Sequence, residues 1–361
     1  MQRRNIAREK IIRYANKVLH DIKKSIKPTF ETPVRALSNV EFNPDTGIFE
    51  LKTSIKRRKL TAHSSKAFAQ TLRMMSFAKS LIDENSFSTL REAYYISKNW
   101  AEARFTEQQQ SNEVIEDLEA SLGVIREDLG FFPEQDGSSV VGNLEIVDRS
   151  GESPLKIDCT KLGTGAYNVP NAVEELEFNT GAEFVLAIET AGMFVRLNRE
   201  KFWKKMNCIL VSLKGVPARA TRRFIKRLHD EEKLPVYVFT DGDPYGYANI
   251  YRTLKVGSGK AIHVAKEFAV PDAMFLGVTP TDITEYDLPT HPLAETDIKR
   301  IKDILANDPF FKAHKKWIKE LSKMMSMKKR AEQQALAKYG LKYVADVYLP
   351  QKLEDKSTWL P

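Results

Sequence analysis

The chain has 361 residues, of which 42% are hydrophobic and 29% are charged, and its formal net charge is +8. This length gives room for two domains, and no apolar run approaches the roughly 18 residues that span a membrane. The two cysteines, Cys159 and Cys208, and the six scattered histidines lack the spacing of zinc ligands. Composition therefore argues against a membrane protein, a disulfide scaffold and a zinc enzyme, and it indicates a protein of the reducing cytoplasm.

The positive charge is concentrated at the start of the chain. Residues 1–66 contain 16 Lys and Arg against 6 Asp and Glu, a net charge of +10 in a chain whose total is +8. We predict a helix over about 5–26 and a short hairpin of residues 40–42 and 48–51. A basic arm of this kind favours a polyanion or an acidic protein as partner, although a solvated tail has the same composition.

Residues 67–150 are predicted to form a second unit, which contains helices followed by a two-stranded ribbon. The helices are predicted at 65–82, 89–100, 111–122 and 125–129, and the ribbon strands at 140–141 and 144–147. This order is typical of a winged helix-turn-helix domain of the CAP-like kind, which places a helix in the major groove of DNA. Any small helical domain with a hairpin would show the same pattern.

The second of these helices carries an arginine and two adjacent tyrosines. Arg91 and Tyr95 are four residues apart and therefore share a helix face, whereas Tyr94 lies on an adjacent face. A guanidinium group binds phosphate, and a tyrosine hydroxyl beside it can attack a phosphodiester. Most helical tyrosines pack at the edge of a core, so this pattern alone leaves both interpretations open.

Acids follow two predicted strands in the last part of the chain. After a connection at 151–180, the apolar run Phe184–Ile188 ends in Glu189, and a second run ends in Asp241 and Asp243. Ligands bind beyond the carboxyl ends of parallel strands, and clustered carboxylates suit a hard cation such as Mg²⁺. An Asp-rich turn that caps the next helix is the alternative.

The fold class follows from the alternation of these segments. A strand at 208–213 and a helix at 218–232 lie between the two acid-bearing strands, which indicates a parallel sheet. From about Asp308 the chain is predicted to be helical. We therefore expect a multidomain chain of the α+β and α/β classes, with a parallel-sheet domain over 181–361 that includes a helical C-terminal part.

Taken together, these motifs resemble one family. They are LREAYY (90–95), LAIETAGMF (186–194), SLKGVPARATRRFIKRL (212–228), VFTDGDPYGYANI (238–250) and FLGVTPTDI (275–283). This combination resembles the A subunit of DNA topoisomerase VI, the archaeal type IIB topoisomerase, whose family includes the meiotic double-strand-break transesterase. The resemblance covers about residue 67 to the end and implies that 181–361 is a Toprim domain.

The resemblance implies a role for each matching residue. Tyr95 matches the catalytic tyrosine and Arg91 the arginine one turn before it. Glu189 and Asp241 match the Mg²⁺ ligands, Asp243 the third acid of the set, and Gly246 the glycine of the motif. Arg219 and Arg222 are candidates for contacts with DNA phosphates.

The implied function is ATP-dependent relaxation and decatenation of DNA through Mg²⁺-dependent cleavage of both strands, with 5′-phosphotyrosyl links. The implied partners are double-stranded DNA, a second copy of the chain in a homodimer, and an ATPase B subunit in an A₂B₂ heterotetramer located at the nucleoid. This chain has no GxxxxGK[ST] loop for a nucleotide, so ATP belongs to the B subunit. The basic arm contacts either that subunit or DNA. A recombination-type break-maker and a non-catalytic DNA-binding protein are the alternatives.

Overall fold

The computed structural model describes residues 2–133, 137–259 and 261–361. Met1 of the predicted arm, residues 134–136 of the second predicted unit, and Lys260 lie outside the described residues. The chain divides into two compact units: unit 1 comprises Met1–Glu41, Glu50–Gln135 and Gly259–Glu267, and unit 2 comprises Phe42–Phe49, Asp136–Ser258 and Phe268–Pro361. No described helix has the length and apolar character that crossing a bilayer requires.

Helices occur along the whole chain. They are α1 Gln2–Lys23, α2 Ser65–Asp83, α3 Leu90–Ser97, α4 Gln108–Leu122, α5 Ala191–Arg199, α6 Phe202–Lys205, α7 Arg219–Glu232, α8 Arg252–Val256, α9 Ala265–Phe268, α10 Pro280–Glu285, α11 Glu295–Asn307, α12 Pro309–Ala313, α13 Lys315–Met327 and α14 Leu349–Glu354. The helices predicted in the first 122 residues and at 218–232 are confirmed, with ends that differ by a few residues. The helix predicted at 125–129 is wrong, because those residues form turns.

The strands are short and belong to several sheets. They are β1 Thr29–Pro33, β2 Val40–Asn43, β3 Ile48–Leu51, β4 Ile55–Lys59, β5 Ser88–Thr89, β6 Phe131–Phe132, β7 Ser139–Gly142, β8 Glu145–Asp148, β9 Leu155–Asp158, β10 Tyr167–Asn168, β11 Leu176–Asn179, β12 Phe184–Ile188, β13 Cys208–Ser212, β14 Val236–Phe239, β15 Met274–Gly277, β16 His291–Pro292 and β17 Lys329–Arg330. The predicted hairpin is confirmed, since β2 pairs with β3.

The basic N-terminal segment is folded into the core of unit 1. Ala7, Ile11 and Val18 of α1 are buried in one apolar cluster with Met74 and other residues of α2. A further part of the segment, β1, pairs antiparallel with β4. Because burial of apolar side chains is the main stabilising contribution to a fold, α1 is a structural element of unit 1 as well as a carrier of charge.

Helix α3, which carries the two tyrosines, begins with a capping box. The Thr89 hydroxyl accepts a hydrogen bond from the Glu92 backbone N–H (3.1 Å), and the Glu92 carboxylate accepts one from the Thr89 N–H (2.7 Å). Such reciprocal bonds satisfy backbone donors that have no partner at a helix start. The helix ends at Ser97, three residues before the predicted end at Trp100.

The predicted ribbon of residues 140–141 and 144–147 does not form. β7 pairs with β13 and β10, whereas β8 pairs with β9 and β11 in a separate three-stranded sheet. Gly142, the expected hairpin turn, lies instead against β13, where a Cβ atom would come within 2.3 Å of the Cys208 carbonyl oxygen. The residues between the two strands therefore separate two sheets, and the predicted winged helix lacks the wing that was assigned to it.

Unit 2 is built on a mixed six-stranded sheet with the order β10-β7-β13-β12-β14-β15. Strands β13, β12, β14 and β15 are parallel neighbours, and every residue of β12 and β13 is buried. Fully buried parallel strands have apolar residues on both faces, as the runs FVLAI and CILVS do. The predicted parallel sheet is therefore confirmed.

Candidate active site

The sheet of unit 2 brings two of the predicted acids together. Ile188 at the end of β12 pairs with Phe239 at the end of β14, so Glu189 and Asp241 follow neighbouring strands. The Asp241 backbone N–H donates a hydrogen bond to Glu189 Oε2 (2.8 Å). Carboxylates from two separate segments therefore converge at the carboxyl edge of the sheet, where ligands bind in open α/β folds.

Each acid of the cluster also accepts a backbone hydrogen bond that fixes its orientation. The Gln333 N–H donates to Asp241 Oδ1 (2.8 Å), and the Gly246 N–H donates to Asp243 Oδ1 (2.7 Å). Among the described residues, neither Glu189 Oε1 nor Asp241 Oδ2 has a hydrogen-bond donor. One oxygen of each of these two carboxylates therefore stays available to a ligand.

Burial and mutual repulsion destabilise the charged forms of the three acids. Burial first, and then the Asp241 carboxylate, raise the pKa of Glu189 to about 8. Burial, together with Asp243, raises the pKa of Asp241 to about 6, and burial also raises the pKa of Asp243. A cation would remove this repulsion, because opposite charge favours the ionised carboxylate.

The arrangement of these carboxylates suits a Mg²⁺ ion bound by two of them better than an ion bound by all three. No three His, Cys, Asp or Glu side chains of the described chain are arranged to hold one ion together. Asp243 Oδ2 lies 3.5 Å from Arg330 Nη1, so the second oxygen of this carboxylate is already engaged in an ion pair. Because Mg²⁺ usually binds through one or two carboxylates and completes its shell with water and phosphate, the Glu189 and Asp241 carboxylates are the side chains that could hold such an ion.

Glycine is required at position 246 by lack of space. A Cβ atom there would lie 2.7 Å from Thr240 Oγ1 and 2.8 Å from the Asp241 carbonyl oxygen. It would also lie 3.2 Å from Glu189 Oε2. Any side chain at this position would therefore push apart the two turns that carry the acids.

Sequence reasoning missed the segment Arg330–Gln333, which lies against the acid cluster. Gly242 pairs with Ala331 as an isolated antiparallel bridge, and the Gln333 side chain is fully buried. No local pattern marks this contact, because about 90 residues of chain separate Gln333 from Asp241. Gln333 is buried between the exposed residues Glu332 and Gln334, and the sequence carried no signal of that burial.

The two tyrosines of α3 in unit 1 have different environments. The Tyr94 hydroxyl donates to the Thr106 carbonyl oxygen (2.9 Å), and Lys98 Nζ lies 4.1 Å from the centre of its ring. Tyr95 is 56% exposed, and its hydroxyl has no hydrogen-bond partner among the described residues. Tyr95 is therefore the tyrosine available to a substrate, as the helix-face argument predicts.

The predicted phosphate-binding arginines differ in accessibility. Arg91 is exposed on α3, one turn before Tyr95. The guanidinium groups of Arg219 and Arg222 lie 4.4 and 5.4 Å from the ring centre of Phe268, and Arg222 is only 7% exposed. Arg222 would have to leave this contact to reach a phosphate, whereas Arg219 is partly accessible where it stands.

Three family models match successive parts of the chain. Residues 66–131 match "Type IIB DNA topoisomerase", and residues 134–182 match "All-beta domain in DNA topoisomerase VI alpha subunit". Residues 184–353 match the Toprim domain shared by Spo11 and the A subunit of topoisomerase 6. The second match covers β7 to β11, in which the ribbon was predicted. The third covers all three acids.

Curated relatives match over nearly the whole length of the chain. The A subunit of the type 2 DNA topoisomerase 6 from Methanocaldococcus jannaschii is 63% identical over 358 residues, which is 99% of this chain and 97% of the relative. The protein of the same name from Methanothermobacter thermautotrophicus is 44% identical, and the match covers 98% of this chain and 99% of the relative. That from Archaeoglobus fulgidus is 41% identical and covers 91% of each chain.

Proposed function

This chain belongs to the family formed by the A subunits of type 2 DNA topoisomerase 6, and from this premise we propose how its residues act. It is the DNA-cleaving subunit of a type IIB DNA topoisomerase. The observation that carries the proposal is the convergence of Glu189 and Asp241 at the ends of two paired strands, in a domain of the Toprim kind.

Tyr95 is the proposed nucleophile. Its hydroxyl loses its proton as the oxygen forms a bond to a backbone phosphorus, the bond from that phosphorus to the 3′ oxygen breaks, and the departing 3′ oxygen takes up a proton and becomes a hydroxyl. The 5′ end is then esterified to the tyrosine, and attack by the 3′ hydroxyl restores the DNA. Arg91 would hold the phosphate for this step, because a guanidinium donates two parallel hydrogen bonds to it.

Glu189 and Asp241 are the proposed Mg²⁺ ligands, and Asp243 supports them. When bound, Mg²⁺ supplies charge neutralisation at the phosphate and at the departing oxygen. The open oxygens of Glu189 and Asp241 support their role as ligands. Asp243 holds the turn through the Gly246 N–H and contributes negative charge near the site.

We also propose that unit 1 binds DNA through a winged-helix domain of which α2, α3 and α4 are the helical part. The wing is not the ribbon predicted at 140–147. Because residues 136–258 belong to unit 2, we propose that the winged-helix domain begins near residue 66 and ends before residue 136 rather than at 150. In unit 2, Arg219 at the start of α7 is the favoured phosphate contact. Arg222 is the second choice because it is buried against Phe268.

Cutting both strands requires two tyrosines, and each chain has one candidate in Tyr95. We therefore propose a homodimer of this chain, in which the tyrosine of one copy acts with the acids of the other. Strand passage also needs ATP, for which this chain has no nucleotide loop. An ATP-binding B subunit in an A₂B₂ assembly is the proposed source.

The first experiment is relaxation of supercoiled DNA by this chain with and without ATP, Mg²⁺ and the B subunit. We expect relaxation only when all three are present, because the chain supplies cleavage and the partner supplies the gate. Relaxation without ATP would contradict the proposal that this chain cleaves DNA and that the B subunit controls strand passage with ATP. Unrejoined double-strand breaks as the main product would favour the recombination-type alternative, and DNA binding without cleavage would favour the non-catalytic one.

The basic segment 1–66 is proposed to bind the B subunit in preference to DNA. Thr29 pairs with Lys59, so Lys27 and Lys59 lie at the same end of the small sheet. Exposed apolar residues accompany these charges: Ile22 is 51% and Ile26 is 53% exposed. A DNA backbone has no apolar surface to match these side chains, whereas a protein interface does.

Replacing Ile22 and Ile26 together by aspartate tests this surface without removing the core residues of α1. We expect affinity for the B subunit to fall about tenfold or more, because two unpaired charges would be buried in an apolar part of the interface. DNA affinity, measured by fluorescence anisotropy, should stay within about twofold. Leu341→Asp, at a residue 61% exposed in unit 2, is the control. An unchanged affinity for the B subunit would contradict this proposal and favour DNA as the partner of the segment.

A further inference from the structure

One buried side chain connects the two strand ends that carry the proposed metal ligands. Gln333 is 0% exposed. Its Nε2 donates to the Phe239 carbonyl oxygen (3.0 Å) at the end of β14, and its Oε1 accepts from the Thr190 hydroxyl (2.9 Å) directly after Glu189. The amide therefore spans the gap between the segments that position Glu189 and Asp241.

The backbone of the same residue acts on the acid cluster directly. The Gln333 N–H donates to Asp241 Oδ1 (2.8 Å). Two residues earlier, the Ala331 carbonyl oxygen accepts from the Gly242 N–H (2.7 Å). The turn that carries Asp241 is therefore held from the side by a strand-like contact with a segment about 90 residues later in the chain.

A polar side chain is buried at a cost unless its donors and acceptors are satisfied. Gln333 satisfies both ends of its amide, and each bond ends on one of the two acid-bearing segments. Mg²⁺ demands near-ideal octahedral geometry with ligand distances of about 2.0–2.1 Å. Small changes in the separation of Glu189 and Asp241 would therefore weaken binding of the ion, and partners behind metal ligands are known to act in this way.

We infer that Gln333 is a positioning residue that sets the separation and orientation of the Glu189 and Asp241 carboxylates. It touches neither DNA nor the ion, and it acts through the ends of β12 and β14. This inference rests on the proposed function, since it assumes that the two acids hold Mg²⁺. It predicts that loss of the Gln333 amide raises the Mg²⁺ requirement without removing the tyrosine chemistry.

The test is Gln333→Met in the full chain, which keeps the side-chain length and the backbone N–H but removes the amide. One readout is the rise of Tm with Mg²⁺ concentration in the absence of DNA. A second is the Mg²⁺ concentration that gives half-maximal covalent capture of DNA with the B subunit present. We expect both midpoints to shift about tenfold or more to higher Mg²⁺, with capture at saturating Mg²⁺ within about twofold of the wild type. Gln351→Met, at an exposed glutamine of α14, should change neither midpoint.

The outcomes separate this inference from the proposed function. A wild-type chain whose Tm does not respond to Mg²⁺ would overturn both. A wild type that responds and a Gln333→Met chain with a lower Tm but the same Mg²⁺ midpoints would overturn only the positioning role. If Gln333→Met does not fold, Thr190→Val removes the hydroxyl that donates to Gln333 Oε1 and also caps α5 by accepting from the Met193 N–H. The lost cap should lower Tm, and the lost bond to Gln333 should shift the Mg²⁺ midpoints in the same direction as Gln333→Met. Unshifted midpoints in that variant would overturn the positioning role.

Discussion

Replacing Tyr95 with phenylalanine is expected to abolish covalent capture of DNA while leaving DNA affinity within about twofold. A phenyl ring has no oxygen to form the phosphate ester, so capture should fall by about a thousandfold or more, to background. Because Tyr95 is 56% exposed and its hydroxyl has no partner among the described residues, removal of the oxygen should leave Tm unchanged. Capture is measured by trapping protein-linked DNA with denaturant after incubation with Mg²⁺ and the B subunit.

The neighbouring Tyr94 provides a matched control in the same helix. Tyr94→Phe removes the hydrogen bond to the Thr106 carbonyl oxygen, which should lower the free energy of unfolding by about 1 kcal/mol. Capture should persist in this variant. The reverse result, with capture lost in Tyr94→Phe and kept in Tyr95→Phe, would show that the nucleophile has been assigned to the wrong tyrosine.

Replacing Glu189 with glutamine should remove Mg²⁺-dependent cleavage and, without metal, stabilise the protein. The amide keeps an acceptor for the Asp241 N–H but cannot carry the charge that Mg²⁺ needs. We expect capture to fall by about a hundredfold or more. We also expect Mg²⁺ to raise the Tm of the wild type but not that of the variant, because only a ligand that binds the folded state stabilises it.

The stabilising effect of Glu189→Gln should depend on pH. An unfolded glutamate titrates near 4.5, whereas burial and Asp241 raise the pKa of Glu189 to about 8 in the fold. Between these values the folded state holds a proton that the unfolded state has released, so the free energy of unfolding falls as pH rises. Glutamine does not titrate, so its contribution to stability does not change with pH. Without metal, the free energy of unfolding of the variant should therefore be about 1–3 kcal/mol higher than that of the wild type at pH 8.5. Near pH 4 the difference should vanish.

The control for this substitution lies next to the other end of β12. Glu183→Gln changes an exposed glutamate just before β12, at the end opposite to Glu189. It should affect neither the Mg²⁺ response nor the pH profile of stability, which chemical denaturation in EDTA measures. Equal stability of wild type and Glu189→Gln across pH 4–8.5, together with an unchanged Mg²⁺ response, would exclude Glu189 as a ligand.

Local patterns were sufficient to predict the helices of the first 122 residues, α7 and the parallel strands β12, β13 and β14, but most of the shorter strands were not predicted. The continuous apolar run FVLAI predicted a buried parallel strand, which is the strand that β12 forms. The ribbon at 140–147 was predicted wrongly. Alternating apolar residues indicate that a segment pairs, but they do not specify its partner, and β7 pairs with a strand more than 60 residues later in the chain.

The candidate site could likewise be predicted only in part from local sequence patterns. Side-chain chemistry and strand ends selected Glu189, Asp241 and Asp243 as candidates, and the resemblance to one family favoured a metal site over a turn that caps the next helix. The contact of Asp243 with Arg330 and the bonds of Gln333 were not predictable, since they join segments about 90 residues apart in the chain, and local patterns do not specify such contacts.

By itself, the sequence selected the candidate residues, since Arg91 and Tyr95 share a helix face and acids follow two apolar runs, and the resemblance to one family gave these residues their proposed roles. It also determined the parallel strands, because complete burial selects continuous apolar runs. Only the tertiary structure decided that Glu189 and Asp241 follow paired strands, that the Tyr95 hydroxyl is the accessible one, and that Gln333 lies behind the acids. These features depend on which segments pack together, and packing is set by the free energy of the whole fold rather than by any short segment.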